Sequence, residues 1–147
     1  MSQLLNNSLV ESLVAAFEAT AFISLMPADA SMPAPEYSIV ATIPLIGVGR
    51  LHLAAPQRLG ALVAANIMAL EPDDPDAILG APDALKELLN ITAGGYLSTF
   101  ETIPEMGLPV VTRLADAAAW QEWVQRTGAT VLQAEEHLLA IGLEEGA

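Results

Sequence analysis

The stretch Ala81-Pro82-Asp83-Ala84-Leu85-Lys86-Glu87-Leu88-Leu89-Asn90-Ile91-Thr92-Ala93-Gly94-Gly95-Tyr96-Leu97-Ser98-Thr99-Phe100 has the apolar period of a helix. Pro82 suits a first helical position, where its missing N–H costs nothing. Asp83 then falls in the first turn, where a carboxylate suits the positive end of the helix dipole. At about 100° per residue, Leu85, Leu88, Leu89, Thr92 and Tyr96 share one side of the wheel. Asp83, Glu87, Asn90 and Gly94 gather within about 60° of one another on the opposite side. One face can therefore bury, while the other presents two carboxylates, an amide and a bare patch of backbone in a row. Glu87 and Asn90, three apart, point the same way. Gly94 has no side chain to keep a partner at a distance. Glycine inside a helix costs about 1 kcal/mol per position, so the Gly94-Gly95 pair needs a reason. Close packing against a neighbouring element is one, and close approach of a partner is another.

The chain has 147 residues, a length that suits one domain, 1–147, with a sizeable core. It is 53% hydrophobic, with a mean hydropathy of +0.46, which is apolar for a soluble monomer and raises the expectation of an interface. Eighteen acidic residues against five basic ones give a net charge of −13. Five scattered cations build no basic patch, so nucleic acid and anionic membrane surfaces are poor partners. There are no cysteines, which removes disulfides, thiolate nucleophiles and cysteine-based zinc sites. The first residues lack a cationic region and carry Glu11 and Glu18, unlike a secretory signal. The apolar run from Leu59 to Leu70 contains Asn66 and is too short to span a bilayer. A cytoplasmic protein is expected.

Working outward, Ser2–Leu25 reads as a helix, with Leu9, Val10, Leu13, Val14, Phe17 and Ala21 on its apolar side. Pro27–Glu36 is a proline-rich loop. Tyr37–Pro44 and Val48–Ala55 flank a glycine turn and predict an antiparallel hairpin. Pro56 opens a second helix with Leu59, Leu62, Val63, Ile67 and Leu70 as its stripe. Glu71-Pro72-Asp73-Asp74-Pro75-Asp76 is an acidic linker; its two prolines and missing glycine do not match a calcium loop, so it reads as solvated. Leu108–Thr112 is a strand, and Asp116–Arg126 a short helix with Trp120 and Trp123 as core or interface anchors. Thr130–Ala134 and His137–Glu144 predict a second hairpin around Glu135-Glu136, with a helix as the alternative. The fold class that follows is α+β: two layers, with amphipathic helices on a mainly antiparallel sheet of five or six strands.

Asp83-x-x-x-Glu87-x-x-Asn90, running into Thr92-Ala93-Gly94-Gly95, resembles the signature helix of the CheX/CheC/FliY chemotaxis phosphatases. Gly107-Leu108-Pro109-Val110-Val111 is similar to the strand that follows that helix in CheX, and Ile46-Gly47-Val48-Gly49-Arg50-Leu51-His52-Leu53 to the family's glycine-turned hairpin. The resemblance covers most of the chain, best from about Ile39 to Thr112, and rests more on the order of elements than on any one motif. It implies a phosphatase that hydrolyses the aspartyl phosphate of a CheY-type response regulator. Asn90 would position the attacking water, and Glu87 would pair with the lysine beside the regulator's phosphoryl group. Asp83 would give helix support or rim contact, and Gly94 clearance. The regulator, not this chain, would hold the Mg²⁺; no metal or other cofactor is expected on this chain. Relatives with two sites carry a second E-x-x-N on the first helix. Here Glu11 meets Val14 and Glu18 meets Ala21, so one site per chain is expected. A homodimer is also implied.

Polar residues on an outer helix face are most often simply solvated, and E-x-x-N alone is a weak signal. Two rival readings therefore stand beside the enzyme: a non-catalytic module that binds regulators or dimerises, and a purely structural homodimer. Glu122-x-x-Gln125 repeats the acid–amide spacing without the glycines and reads as surface. His52 and His137 lie on separate predicted strands and read as packing or edge residues rather than metal ligands. No serine sits in a G-x-S-x-G setting, and Gly47-x-Gly49 opens no helix, which argues against a hydrolase triad and a phosphate loop.

Overall fold

The computed structural model describes residues 2–146, with side chains from residue 7 onward. Six strands form one sheet: β1 (Leu25–Pro27), β2 (Ser38–Leu45), β3 (Gly49–Pro56), β4 (Val110–Leu114), β5 (Thr130–Ala134) and β6 (His137–Glu145). Their order is β1-β5-β6-β3-β2-β4, and every neighbouring pair is antiparallel. Both predicted hairpins form. The first turns at Ile46-Gly47-Val48, where Gly47 takes φ +82°, a left-handed value that favours glycine. The second turns at Glu135-Glu136.

The helices are α1 (Ser2–Ala16), α2 (Gln57–Met68), the short α3 (Pro75–Leu79), α4 (Ala81–Leu97) and α5 (Ala117–Thr127). Apolar residues alternate along the strands because the side-chain period is two. Ile39, Ala41, Ile43 and Leu45 of β2, with Leu51, Leu53 and Ala55 of β3 and Leu139 and Ile141 of β6, face α1, α2 and α4 and build the main core. The alternate residues Val40, Ala54, Leu138 and Ala140 face α5, whose Trp120 and Trp123 cover them in a second, smaller cluster. The two-layer α+β expectation thus holds for α1, α2 and α4, and α5 adds a partial layer on the far side. Coverage on both sides is why β2 and β3 are buried along almost their whole length.

Four sequence expectations shift. The first helix does not reach Leu25: α1 ends at Ala16, widens into a π turn over Phe17–Ala21 and stops at Phe22, which takes the left-handed φ of 59°. Asn66 of α2 donates from its side-chain amide to the Ala21 carbonyl (2.7 Å), and Leu25 then begins the edge strand β1. On α2, Leu59 and Val63 bury as expected, but Ile67 is exposed; Gly60, Ala61, Ala64 and Ala65 are buried instead. Those small residues let α2 lie close to α4, since a Cβ on Gly60 would come within 3.0 Å of the Ala81 Cβ. Part of the acidic linker is helical: the Asp74 carboxylate caps α3 by accepting from the Asp76 N–H (2.8 Å). Strand β4 begins at Val110 rather than Leu108, which is exposed.

Candidate functional site

α4 lies against both α1 and α2 over the sheet, so two flanks and one face are covered and one strip is open. Leu85, Leu88, Leu89, Thr92 and Tyr96 are buried as the wheel requires; the Thr92 hydroxyl donates to the Leu88 carbonyl (2.7 Å), which satisfies it inside the core. Asp83, Glu87, Asn90 and Gly94 are all exposed along the outer strip. Beyond them the Ser98 hydroxyl donates to the Gly95 carbonyl (2.6 Å), and the Thr99 hydroxyl donates to the Tyr96 carbonyl (2.7 Å), which also accepts the Thr99 N–H (3.1 Å) as the helix ends.

The charges on the strip are unequal. Asp83 pairs with Lys86 at 3.2 Å, an i,i+3 contact on a largely exposed carboxylate. None of the ion pairs of the described residues uses Glu87. The strip therefore offers an unpaired carboxylate, an amide that can both donate and accept, and beyond them a bare backbone surface. A Cβ built on Gly94 meets nothing within 4 Å, so packing inside the chain gives no reason for a glycine there. Gly95 differs: its Cβ would lie 3.4 Å from the Ser12 hydroxyl oxygen of α1, an ordinary contact. Concavities of about 950 and 440 Å³ are lined by other residues, and neither includes Glu87 or Asn90. Glu87 and Asn90 thus face solvent and are enclosed by neither concavity, an arrangement that suits a partner bringing its own pocket. Among the described residues, no group of three or more His, Asp or Glu stands where it could hold a metal ion.

A second polar cluster lies on the other side of the sheet, under α5, and was not foreseen in the sequence. The Thr42 hydroxyl bonds His52 Nδ1 (2.8 Å), and His52 Nε2 bonds Glu144 (2.9 Å). The Glu144 carboxylate also accepts from Arg50 and Arg126, each at 3.0 Å. A carboxylate only accepts, so the neutral imidazole carries its proton on Nε2 and accepts a hydrogen bond from the Thr42 hydroxyl at Nδ1. Burial lowers the His52 pKa, against the opposing pull of Glu144. The hydrogen bond from His52 holds Glu144 below the ordinary carboxylate value, and the two arginines act in the same direction. His52 is thus buried on a central strand, packed edge-on against Trp123 (5.7 Å between ring centroids), and is no edge residue. Its partner Thr42 was readable from the hairpin register, in which Thr42 faces His52; Glu144, 92 residues away, carried no local signal. His137 sits beside Glu136 at 4.0 Å, and Glu122 and Gln125 are exposed on α5.

No protein-family model matches the chain. No curated protein matches it either. Solved structures do. A candidate chemotaxis protein of Desulfovibrio vulgaris Hildenborough superposes with a TM-score of 0.67 at 11% identity, over 97% of this chain and 96% of the other. The chemotaxis protein CheX of Vibrio vulnificus gives 0.63 at 14%, over 95% and 96%. CheX in a complex with CheY, BeF3 and Mg from Borrelia burgdorferi gives 0.62 at 12%, over 96% and 97%. The chain therefore has the CheX-like fold, with nearly the whole of each chain aligned. No helix of the described residues is long and apolar enough to cross a membrane.

Proposed function

On the premise of that fold, we propose that the protein is a hydrolase that accelerates loss of the aspartyl phosphate from a CheY-type response regulator in the cytoplasm. The observation that carries this reading is the open strip of α4, where Glu87 and Asn90 stand exposed together, outside both of the concavities described above. The regulator supplies the pocket, the phosphoryl group and the Mg²⁺ that neutralises it. Asn90 enters beside the phosphorus and holds a water in line with the bond to be broken. An amide is no base near neutral pH, so it orients the water without deprotonating it. With a loose phosphoryl transition state, positioning supplies most of the catalysis. The water oxygen forms the new P–O bond as the P–O bond to the regulator's aspartate breaks. The regulator keeps its carboxylate, and inorganic phosphate leaves with the water's protons. Glu87 pairs with a lysine of the regulator and fixes the approach.

Two copies form the working unit in this reading. The edge strand β4 has one side unpaired and exposes Val110 beside exposed Leu108. The alternative of a module that binds regulators without hydrolysing them is less favoured, because both polar members of the pair are present, exposed and without side-chain partners among the described residues.

The test follows aspartyl phosphate decay on a CheY-type regulator with Mg²⁺, with and without the protein. Asn90→Ala is expected to remove the acceleration, at least a hundredfold in kcat, and to leave the melting temperature unchanged because Asn90 is exposed. A folded Asn90→Ala protein as active as the wild type would sink the proposal. Regulator binding without any acceleration by the wild type would favour the binding module.

A further inference from the structure

The α4 strip does not end at the Glu87–Asn90–Gly94 line. One step round the helix, Ile91 and Gly95 are also exposed, and they form one wall of a groove of about 440 Å³ between α4 and α1. The opposite wall is Glu11, Ser12, Ala15 and Ala19 of the α1 side. Small side chains line this groove, so an approaching helix could bring its axis close to both α1 and α4. Ser12, within ordinary contact distance of a Cβ at Gly95, closes the bottom. Among the described residues of the lining, Glu11 is the only charged one. It adds to a surface whose other exposed charges on α4 are Asp83, already paired with Lys86, and unpaired Glu87. Groove and strip are thus one continuous surface, lined by small side chains and negative along its rim.

We propose that this groove is the specificity half of the docking surface and receives one helix of the phosphorylated regulator, a helix with an apolar or small-residue ridge and a basic side chain that pairs with Glu11. This rests on the phosphatase reading of the α4 strip. The division of labour is physical. Asn90 acts only at the phosphoryl group, and contacts of this kind appear in the chemical step. The groove is remote from the reacting atoms and binds ground state and transition state equally, so it governs affinity and partner choice.

Two variants separate the halves. Ala15→Phe fills the groove from an exposed position of α1, and Glu11→Lys reverses the rim charge. Each is run beside Asn90→Ala in the decay assay over a range of regulator concentrations. Binding is measured separately by calorimetry with a regulator held in its phosphorylated form by beryllium fluoride and Mg²⁺. Light scattering and thermal melts on each variant report the oligomeric state and the fold. The expected result is at least a tenfold rise in KM and in Kd for Ala15→Phe, with kcat retained at saturation. Glu11→Lys is expected to weaken binding about tenfold at low salt, with the gap closing as ionic strength rises. If folded Ala15→Phe and Glu11→Lys keep wild-type KM and Kd while Asn90→Ala is inactive, the groove proposal fails and the phosphatase reading stands. If Asn90→Ala is fully active, it is the phosphatase reading that fails. A change in oligomeric state with unchanged regulator affinity would assign the groove to a second copy of the chain and overturn the proposal.

Discussion

Gly94 is a helical glycine with open space where a side chain would be, and this makes Gly94→Ala a test with opposite signs for stability and activity. Its backbone is not among the positive-φ positions, so alanine fits without strain. The new Cβ meets nothing within 4 Å, so no packing is disturbed. What remains is the helix propensity difference, about 0.5–1 kcal/mol in favour of alanine, part of it acting through the unfolded chain. In a chain of 147 residues, a gain of that size raises Tm by roughly 1–4 °C. If a regulator passes its backbone over Gly94 to bring its phosphoryl group to Asn90, the same methyl stands between the two proteins. A displacement of about 1 Å can cost a hundredfold in a reaction that depends on positioning. The expected protein melts higher and dephosphorylates its regulator at least tenfold more slowly. Thermal and urea denaturation measure the first quantity, and aspartyl phosphate decay the second. A variant that gains stability and keeps full activity would refute the claim that Gly94 is there for a partner. One that loses stability would refute the reading of open space around it.

Two further outcomes concern the interior. The Tyr96 hydroxyl is buried with no hydrogen-bond partner among the described residues, and burial raises its pKa. Tyr96→Phe keeps the ring and its edge-on contact with Phe100 while removing the orphan group, so stability in urea is expected to hold or to rise by about 1 kcal/mol; a loss above that would mean the hydroxyl has a partner. His52 titrates lower in the folded protein than its ordinary 6.5 because burial disfavours the imidazolium. The unfolded chain therefore takes up the proton first, and the His52 contribution is present above about pH 6.5 and lost as the pH falls through the window below it. Urea midpoints measured between pH 8 and pH 5.5 should decline on the acid side, and His52→Gln should flatten that decline. A wild-type midpoint that rises on acidification would reverse the assignment.

The contrast between what the sequence disclosed and what it hid follows from how far apart the cooperating residues lie. The α4 strip was legible because each of its members lies three or four residues from the next on a regular helix, where spacing alone dictates direction. Both hairpins were legible because each turn lies between two short β-rich runs, but the facing of Thr42 and His52 across the first emerged only with its register. The end of α1 was not, because its stop is Phe22 in a left-handed conformation that glycine or asparagine would ordinarily announce. There the stop is accompanied by a tertiary contact, the Asn66 amide on the Ala21 carbonyl, from a helix 45 residues away. Ile67 misled because the periodic rule assumes that large residues define the buried face. α2 instead turns Gly60, Ala61, Ala64 and Ala65 inward, where only small side chains allow α4 to lie so close.

That close approach links the hidden part of the sequence to the visible part. α4 can display Glu87 and Asn90 only if the rest of its circumference is fixed. The seats on either side are built by residues with little signal of their own: Gly60 toward α2, and Ser12 beside Gly95 toward α1. The polar pair is exposed and could be replaced without disturbing the core, whereas its aim depends on the small residues behind it. A strip on a helix so held loses little freedom when a partner docks. For a residue whose work is to hold one water in line, that rigidity matters as much as the amide itself.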